Sequence, residues 1–351
     1  MALISPEAFQ SILLAWYDRS GRKDLPWQRP RSPYRVWVSE IMLQQTQVGT
    51  VVPYFQRFMA AFPTVEALAL AELDQVLRHW AGLGYYARAR NLHRAANQIV
   101  AEHDGDLPAS QEALIQLPGI GRSTAGALLS LAYDRPAPIL DGNVKRLWCR
   151  LHTIGNEEGP AATERRLWAL SEKYLPRRRN ADYTQALMDF GATLCTRTQP
   201  RCPDCPFQAH CLAYRTGRVT ELPAPRPRRV KPVKSSYWLL LRDPSGRIYL
   251  QQRPPSGIWA GLWTPPHWDC PEALKNHCHR LNIQPDRLQW LADRKHTFTH
   301  YTLRYTPALI DLEEALSLVH DRPSRWLMPT HASQLAMPTP VRHLLSDPVI
   351  T

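Results

Sequence analysis

The stretch "LPGIGRSTAGALL", residues 117–129, decides the fold of the N-terminal half. Before it, Gln111–Gln116 reads as the end of one helix; after it, Ser123–Leu131 reads as the start of another. Between them Gly119 and Gly121 can take a positive φ at low steric cost. Successive N–H groups can then point outward at a helix N-terminus, where the dipole favours an anion. Taken alone, Gly-x-Gly fits two readings equally. One is a helix–turn–helix that grips a phosphate oxygen; the other is a tight turn with glycines for packing.

Around that stretch, residues 5–194 read as helix after helix. Phe9, Ile12, Leu13 and Trp16 share one helical face. So do Val48, Val52, Phe55 and Met59, then Leu73, Val76, Leu77 and Trp80, then Val144, Leu147, Trp148 and Leu151. "YRVWVSEIMLQQTQV" (34–48) reads as an amphipathic helix with Glu40 among Val36, Val38, Ile41 and Met42. Burial beside apolar side chains favours the protonated carboxyl, which suits a general acid. By periodicity alone an exposed helix glutamate is the better reading.

After Cys211 the composition changes. "RTGRVTELPAPRPRRVKPVK" (215–234) holds four prolines and seven basic residues against one acid, as in a semi-stiff linker. The whole chain of 351 residues carries 43 Lys+Arg against 31 Asp+Glu, a formal +12. That excess suits a polyanionic partner and leaves the fold open. Beyond the linker the period becomes strand-like. "YWLLLRD" and "RIYLQQR" flank the turn Pro244-Ser245-Gly246. In "HTFTHYTLRYTPALI", Tyr301, Leu303 and Tyr305 alternate. Helices are expected near 271–281 and 333–345. No apolar run is long enough to span a bilayer, and no signal peptide is read at the start.

Four of the seven cysteines, Cys195, Cys202, Cys205 and Cys211, crowd into "CTRTQPRCPDCPFQAHC" with spacing C-x6-C-x2-C-x5-C. Four clustered thiols point to a metal site in a reducing compartment. Zinc and an iron–sulfur cluster both accept all-thiolate ligation.

Several motifs in order carry a family resemblance over residues 5–215. Helix–"LPGIGRSTA"–helix resembles the helix-hairpin-helix of base-excision DNA glycosylases. "PILDGNVKR" (138–146) follows it as in that superfamily, and "SEIMLQQTQV" resembles the motif of the MutY-type adenine DNA glycosylases. The cysteine spacing is similar to that of the endonuclease III and MutY families, which implies one 4Fe-4S cluster. The resemblance implies that Glu40 is the catalytic acid and Asp141 the carboxylate at the mouth of the base pocket. It also implies DNA or base contacts from Gln44, Gln45, Tyr85, Gly119, Gly121 and Ser123. Tyr85, in "GLGYYARARN" (82–91), would be the wedge beside the opposite base. Bifunctional relatives read "GRKTA" where this chain has "GRSTA". Ser123 cannot form an imine, so a monofunctional enzyme is expected.

"LQQRPPSGIWAGLWTPP" (250–266) resembles the Nudix-related C-terminal domain of MutY proteins. Between Gly261 and Pro285 the acids are Asp269 and Glu272. No carboxylate cluster for Mg²⁺ is present there, so a diphosphatase is not expected. "HTFTH" (296–300) stands where that family commonly has Phe-Ser-His, which assigns lesion reading to Phe298, Thr299 and His300, with threonine in place of serine.

The expectation is thus a multidomain chain. An all-α helix-hairpin-helix glycosylase domain (1–214, hairpin near 111–131, cluster loop 195–211) is joined by the linker 215–234 to a small mixed α/β Nudix-like domain (235–351). It would excise adenine from A:8-oxoguanine or A:G mispairs in double-stranded DNA and leave an abasic site. It would act as a monomer in the bacterial cytoplasm, associated with the nucleoid.

Overall fold

The computed structural model describes residues 4–224, 230–314 and 322–350. Part of the expected linker, 225–229, lies outside them. The chain divides into two compact units: Met1–Leu70 with Asn91–Pro227, and Ala71–Arg90 with Arg228–Thr351. The stretch Ala71–Arg90 therefore groups with the C-terminal unit although it lies early in the sequence.

The helices run α1 (Pro6–Ser20), α2 (Pro33–Leu43), α3 (Val48–Ala61), α4 (Val65–Leu70), α5 (Leu73–Trp80), α6 (Ala87–Glu102), α7 (Gln111–Gln116), α8 (Arg122–Tyr133), α9 (Gly142–Leu151), α10 (Pro160–Lys173), α11 (Asn180–Thr193) and α12 (Leu212–Arg215). In the N-terminal unit α8 is the apolar centre, buried from Ala125 to Leu131. It packs between α2 and α11, and α11 also packs on α1 and α9. Asp134 ends α8 in the left-handed region (φ 50°). Its Oδ1 accepts the Ala181 N–H at 2.8 Å, which caps the start of α11. No helix among the described residues is long and apolar enough to cross a membrane.

Two expectations are corrected. The helix over 34–48 is two helices. α2 starts at Pro33 behind the Ser32 cap and ends at Leu43; Gln45 sits at φ 59°. Apolar spacing continues smoothly through 34–48, so periodicity cannot see a break made by backbone conformation. The helix expected near 333–345 begins only at α14 (Thr339–Leu345), after a 3₁₀ turn over Pro329–Gln334. Pro338 and Pro340 lack the N–H a continuous helix needs, and proline is tolerated only in a first turn.

The C-terminal unit is a mixed sheet of β1 (Val233–Arg242), β2 (Ile248–Gln252), β3 (Trp263–Thr264), β4 (His267–Trp268), β5 (Gln289–Trp290), β6 (Arg294–Thr297), β7 (Thr302–Asp311) and β8 (Ser324–Leu327). The order is β3-β2-β1-β7-β5, with β4 on β1, β6 on β7 and β8 on β2. β1 and β2 form the expected antiparallel hairpin. β1 and β7 pair in parallel from Val233↔Thr302 to Arg242↔Asp311. The period of two on β1 splits its apolar residues between faces. Trp238 and Leu240 pack with Val341 and Leu344 of α14. Leu239 and Leu241 pack with Leu274 and Cys278 of α13 (Pro271–Arg280).

Candidate active site

Glu40 lies in the last turn of α2, partly buried, behind fully or nearly buried Val36, Trp37 and Ile41. Loss of hydration pushes its carboxyl up to about 8, and the negative charge of Asp141 adds to the shift. The two carboxylates named from the sequence are therefore within electrostatic reach, although 101 positions separate them.

Asp141 is the N-cap of α9. One carboxylate oxygen accepts from the Asn143 N–H at 2.9 Å and the Val144 N–H at 2.8 Å. Asn143 Nδ2 reaches the other oxygen at 3.4 Å. Burial pushes the Asp141 carboxyl up; those N–H donors and the nearby Arg146 guanidinium pull it back. The same last-named side chain braces the cap. Arg146 donates to Asn143 Oδ1 at 2.9 Å, to the Gly191 carbonyl at 2.6 Å and to the Cys195 carbonyl at 2.8 Å. Helix periodicity gave no reason to single out this arginine. Its burial, and that of Arg150 four residues on, leaves no mark on the local sequence.

The remaining expected residues fall in three places. In the hairpin turn, Gly119 has φ +83°, while Gly121, the N-cap of α8, has φ −95°. Only the first needs a glycine's conformational freedom. Ser123 Oγ accepts the Leu140 N–H at 3.0 Å, and Gln44 Nε2 donates to Thr124 Oγ1 at 3.4 Å. Gln44 and Gln45 occupy the turn after α2, not a further helical turn as expected. At the end of α8 the Tyr133 hydroxyl donates to the Leu107 carbonyl at 2.6 Å. Lys145 pairs with Glu164 at 3.0 Å.

In the C-terminal unit, Tyr85 sits at φ 49° with 45% of its surface exposed. Its hydroxyl lies 3.0 Å from Thr299 Oγ1. Phe298, Thr299 and His300 form the tip between β6 and β7, closed by Phe298 N–H to the Tyr301 carbonyl at 2.9 Å. Phe298 stacks on Tyr301 with centroids 4.6 Å apart, and Lys231 Nζ donates to its carbonyl at 2.8 Å. Arg88 and Arg90, by contrast, serve packing. Arg88 lies over Trp80 and Tyr85, and Arg90 donates to the Ala260 carbonyl at 3.0 Å.

The four clustered cysteines are free thiols lining one cavity, together with Arg150 and Phe207. Arg150 is 3% exposed and spreads its donors over Cys195 Sγ (3.4 Å) and the carbonyls of Thr196, Arg197, Val219 and Leu222. Thr196 Oγ1 is buried there without a hydrogen-bond partner. No three His, Cys, Asp or Glu side chains among the described residues close on a single-ion site.

A helical bundle with a glycine hairpin, followed by an aspartate that caps the next helix within electrostatic reach of a partly buried glutamate, is the arrangement of a helix-hairpin-helix base-excision glycosylase. Residues 38–173 match the profile of the HhH-GPD superfamily base excision DNA repair protein, and residues 237–347 match a NUDIX domain. An adenine DNA glycosylase of Buchnera aphidicola subsp. Baizongia pistaciae (strain Bp) is 34% identical over 96% of this chain and 96% of its own. One from Homo sapiens is 35% identical over 91% of this chain and 70% of its own. A solved thermostable thymine-DNA glycosylase aligns with a TM-score of 0.55 at 27% identity, over 60% of this chain and 97% of its own. The chain belongs to the adenine DNA glycosylase family.

Proposed function

We propose that the chain hydrolyses the N-glycosidic bond of adenine mispaired with 8-oxoguanine or guanine in double-stranded DNA and leaves an abasic site. The observation that carries this reading is the pairing of a Glu40 carboxyl pushed up to about 8 with the helix-capped Asp141. Breaking the bond requires protonation of the leaving purine and stabilisation of the sugar cation, by the logic of paired carboxylates at O-glycosidic bonds. Glu40 holds the proton for adenine N7 and then helps activate water. Asp141 stays ionised beside the oxocarbenium sugar, its anion favoured by the α9 N-terminus and Arg146. Ser123 stands where bifunctional relatives carry lysine, which supports hydrolysis without strand cleavage.

The open hairpin at Gly121 suits a phosphate contact that positions the duplex without reading sequence. Tyr85 wedges beside the opposite base when the adenine is extruded, an unstacking that costs about a few kcal/mol. Thr299 and His300 meet the opposite base. Cys195, Cys202, Cys205 and Cys211 hold one 4Fe-4S cluster. Four thiols around a cavity fit it, as do the unused Thr196 hydroxyl and the Arg150 donor on Cys195 Sγ. A bound cluster supplies a structural staple for the loop. Purified protein should contain about four irons and four sulfides per chain; zinc in their place would reverse this assignment.

The deciding experiment is single-turnover release of adenine from an A:8-oxoguanine duplex. Glu40→Gln and Asp141→Asn should each slow it by at least about 100-fold. Release by Glu40→Gln at the wild-type rate would show that this carboxyl is not the acid.

A further inference from the structure

Glu40 and Asp141 come from different elements, so their separation depends on what lies between the end of α2 and the segment before α9. That spacer is the first turn of α8. Thr124 Oγ1 accepts from Gln44 Nε2 at 3.4 Å, and Gln44 directly follows α2, one turn beyond Glu40. Ser123 Oγ accepts from the Leu140 N–H at 3.0 Å, and Leu140 immediately precedes Asp141. Two adjacent hydroxyls thus hold the acid-bearing chain and the carboxylate-bearing chain, one each.

The same face of α8 continues the grip. A Cβ at Gly126 would stand 2.3 Å from the Pro138 carbonyl oxygen, and Ser130 Oγ donates to the Ala137 carbonyl at 3.0 Å. Ser123, Gly126 and Ser130 are three and four residues apart, so they stack on one helix face. Residues 137–140 lie against that face with a hydrogen bond at each end. Leu140 is buried, and a buried N–H must find an acceptor. The Ser123 oxygen therefore selects one register for the segment, and with it one position for Asp141.

We propose that Ser123 and Thr124 are positioning residues that set the distance between the Glu40 acid and the Asp141 carboxylate. The assignment rests on the roles given to those two carboxyls above. Neither hydroxyl touches the reacting atoms; Ser123 acts through Leu140 and Thr124 through Gln44.

The test uses the full chain and single-turnover excision from an A:8-oxoguanine duplex, with duplex affinity measured alongside. Ser123→Ala should slow excision by about 10- to 100-fold, the scale of a small misplacement of a catalytic group, with Kd changed by less than about threefold. Ser123→Thr, which keeps the oxygen, should recover the wild-type rate to within about threefold. Thr124→Val should slow excision by about 3- to 10-fold. Ser123→Ala should also move the alkaline limb of the pH–rate profile to lower pH. The charge of Asp141 helps to raise Glu40, and an Asp141 that drifts away raises it less. A merely structural defect lowers the active fraction and leaves that limb in place.

Ser123→Ala at the wild-type rate, an equally slow Ser123→Thr, or an unshifted alkaline limb would overturn the proposal. Should Ser123→Ala not fold, Ser123→Cys replaces the oxygen with a weaker acceptor. It should show an intermediate rate and faster hydrogen exchange at the Leu140 amide; wild-type values of both would overturn the proposal. Glu40→Gln run beside these variants separates the two ideas. If it excises normally, the acid assignment falls; if it is slow while Ser123→Ala is normal, only the positioning role falls.

Discussion

A methyl group added at Gly119 would meet Asn91 Cβ at 2.9 Å, on a backbone whose φ of +83° already disfavours an L side chain. One added at Gly121 would meet nothing within 4 Å. The first glycine is needed to fold; the second leaves space that the fold does not use. Gly119→Ala should therefore cost roughly 1–3 kcal/mol in chemical denaturation. Gly121→Ala should stay within about 0.5 kcal/mol of wild type and weaken duplex binding several-fold through the lost close approach, about 1 kcal/mol. Equal affinity of Gly121→Ala and wild type would remove the turn from the DNA surface. Glu40 makes a second prediction at this scale. Folded, it keeps its proton to about 8; unfolded, it releases it near 4.5. Between those values the folded state binds more protons, so stability falls as pH rises. Glu40→Gln removes that penalty. Its melting temperature should exceed that of wild type by a margin that grows from pH 5 to pH 8, at about 2–4 °C per kcal/mol. A margin independent of pH would mean that Glu40 ionises normally.

Among the elements, α9 and α11 meet where a Cβ at Gly191 would stand 2.5 Å from Asn143 Cβ. That close approach seats the first turn of α9, the turn that Asp141 caps. Gly191→Ala must push it away, and excision should drop by about tenfold or more while the hairpin turn keeps its exchange protection. Unchanged excision would show that the cap tolerates displacement. How much of this was legible beforehand varies by element. Gln111–Gln116, read as the end of a helix, is the whole of α7, which starts behind the Ser110 cap and stops at Leu117. The break at Gln44–Gln45 was hidden, since the apolar positions on both sides keep one period and the positive φ leaves no mark on residue types. Glu40 and Asp141 were singled out by motif order; nothing in their local patterns distinguishes them from an exposed glutamate and an ordinary helix cap. Arg146 and Arg150 were missed because burial of a guanidinium depends on carbonyls brought from distant segments.

For the whole molecule, the informative boundary is the one at Ala71–Arg90, which groups with the C-terminal sheet. Trp263 Nε1 donates to Asp74 Oδ1 at 2.7 Å, Arg78 reaches the Gln334 carbonyl at 3.4 Å, and a Cβ at Gly261 would touch Leu77. Val76, Leu77 and Trp80 are fully buried. A fragment beginning at residue 230 lacks that cover. It should bind a hydrophobic dye and exchange rapidly around 258–263 and 334–337; the fragment with Ala71–Arg90 added as a separate peptide should do neither. A stable, dye-silent fragment would mean that the sheet is complete by itself.

That early segment of the C-terminal unit also sets a timetable for synthesis. α5 leaves the ribosome about 180 residues before Trp263 does, an interval on the order of 10 to 40 s at typical elongation rates. Throughout it, the α5 segment, whose Val76, Leu77 and Trp80 are buried in the folded unit, has no sheet to cover them. Slower translation across the linker codons should therefore lower the yield of folded protein, and shielding of this segment should restore it.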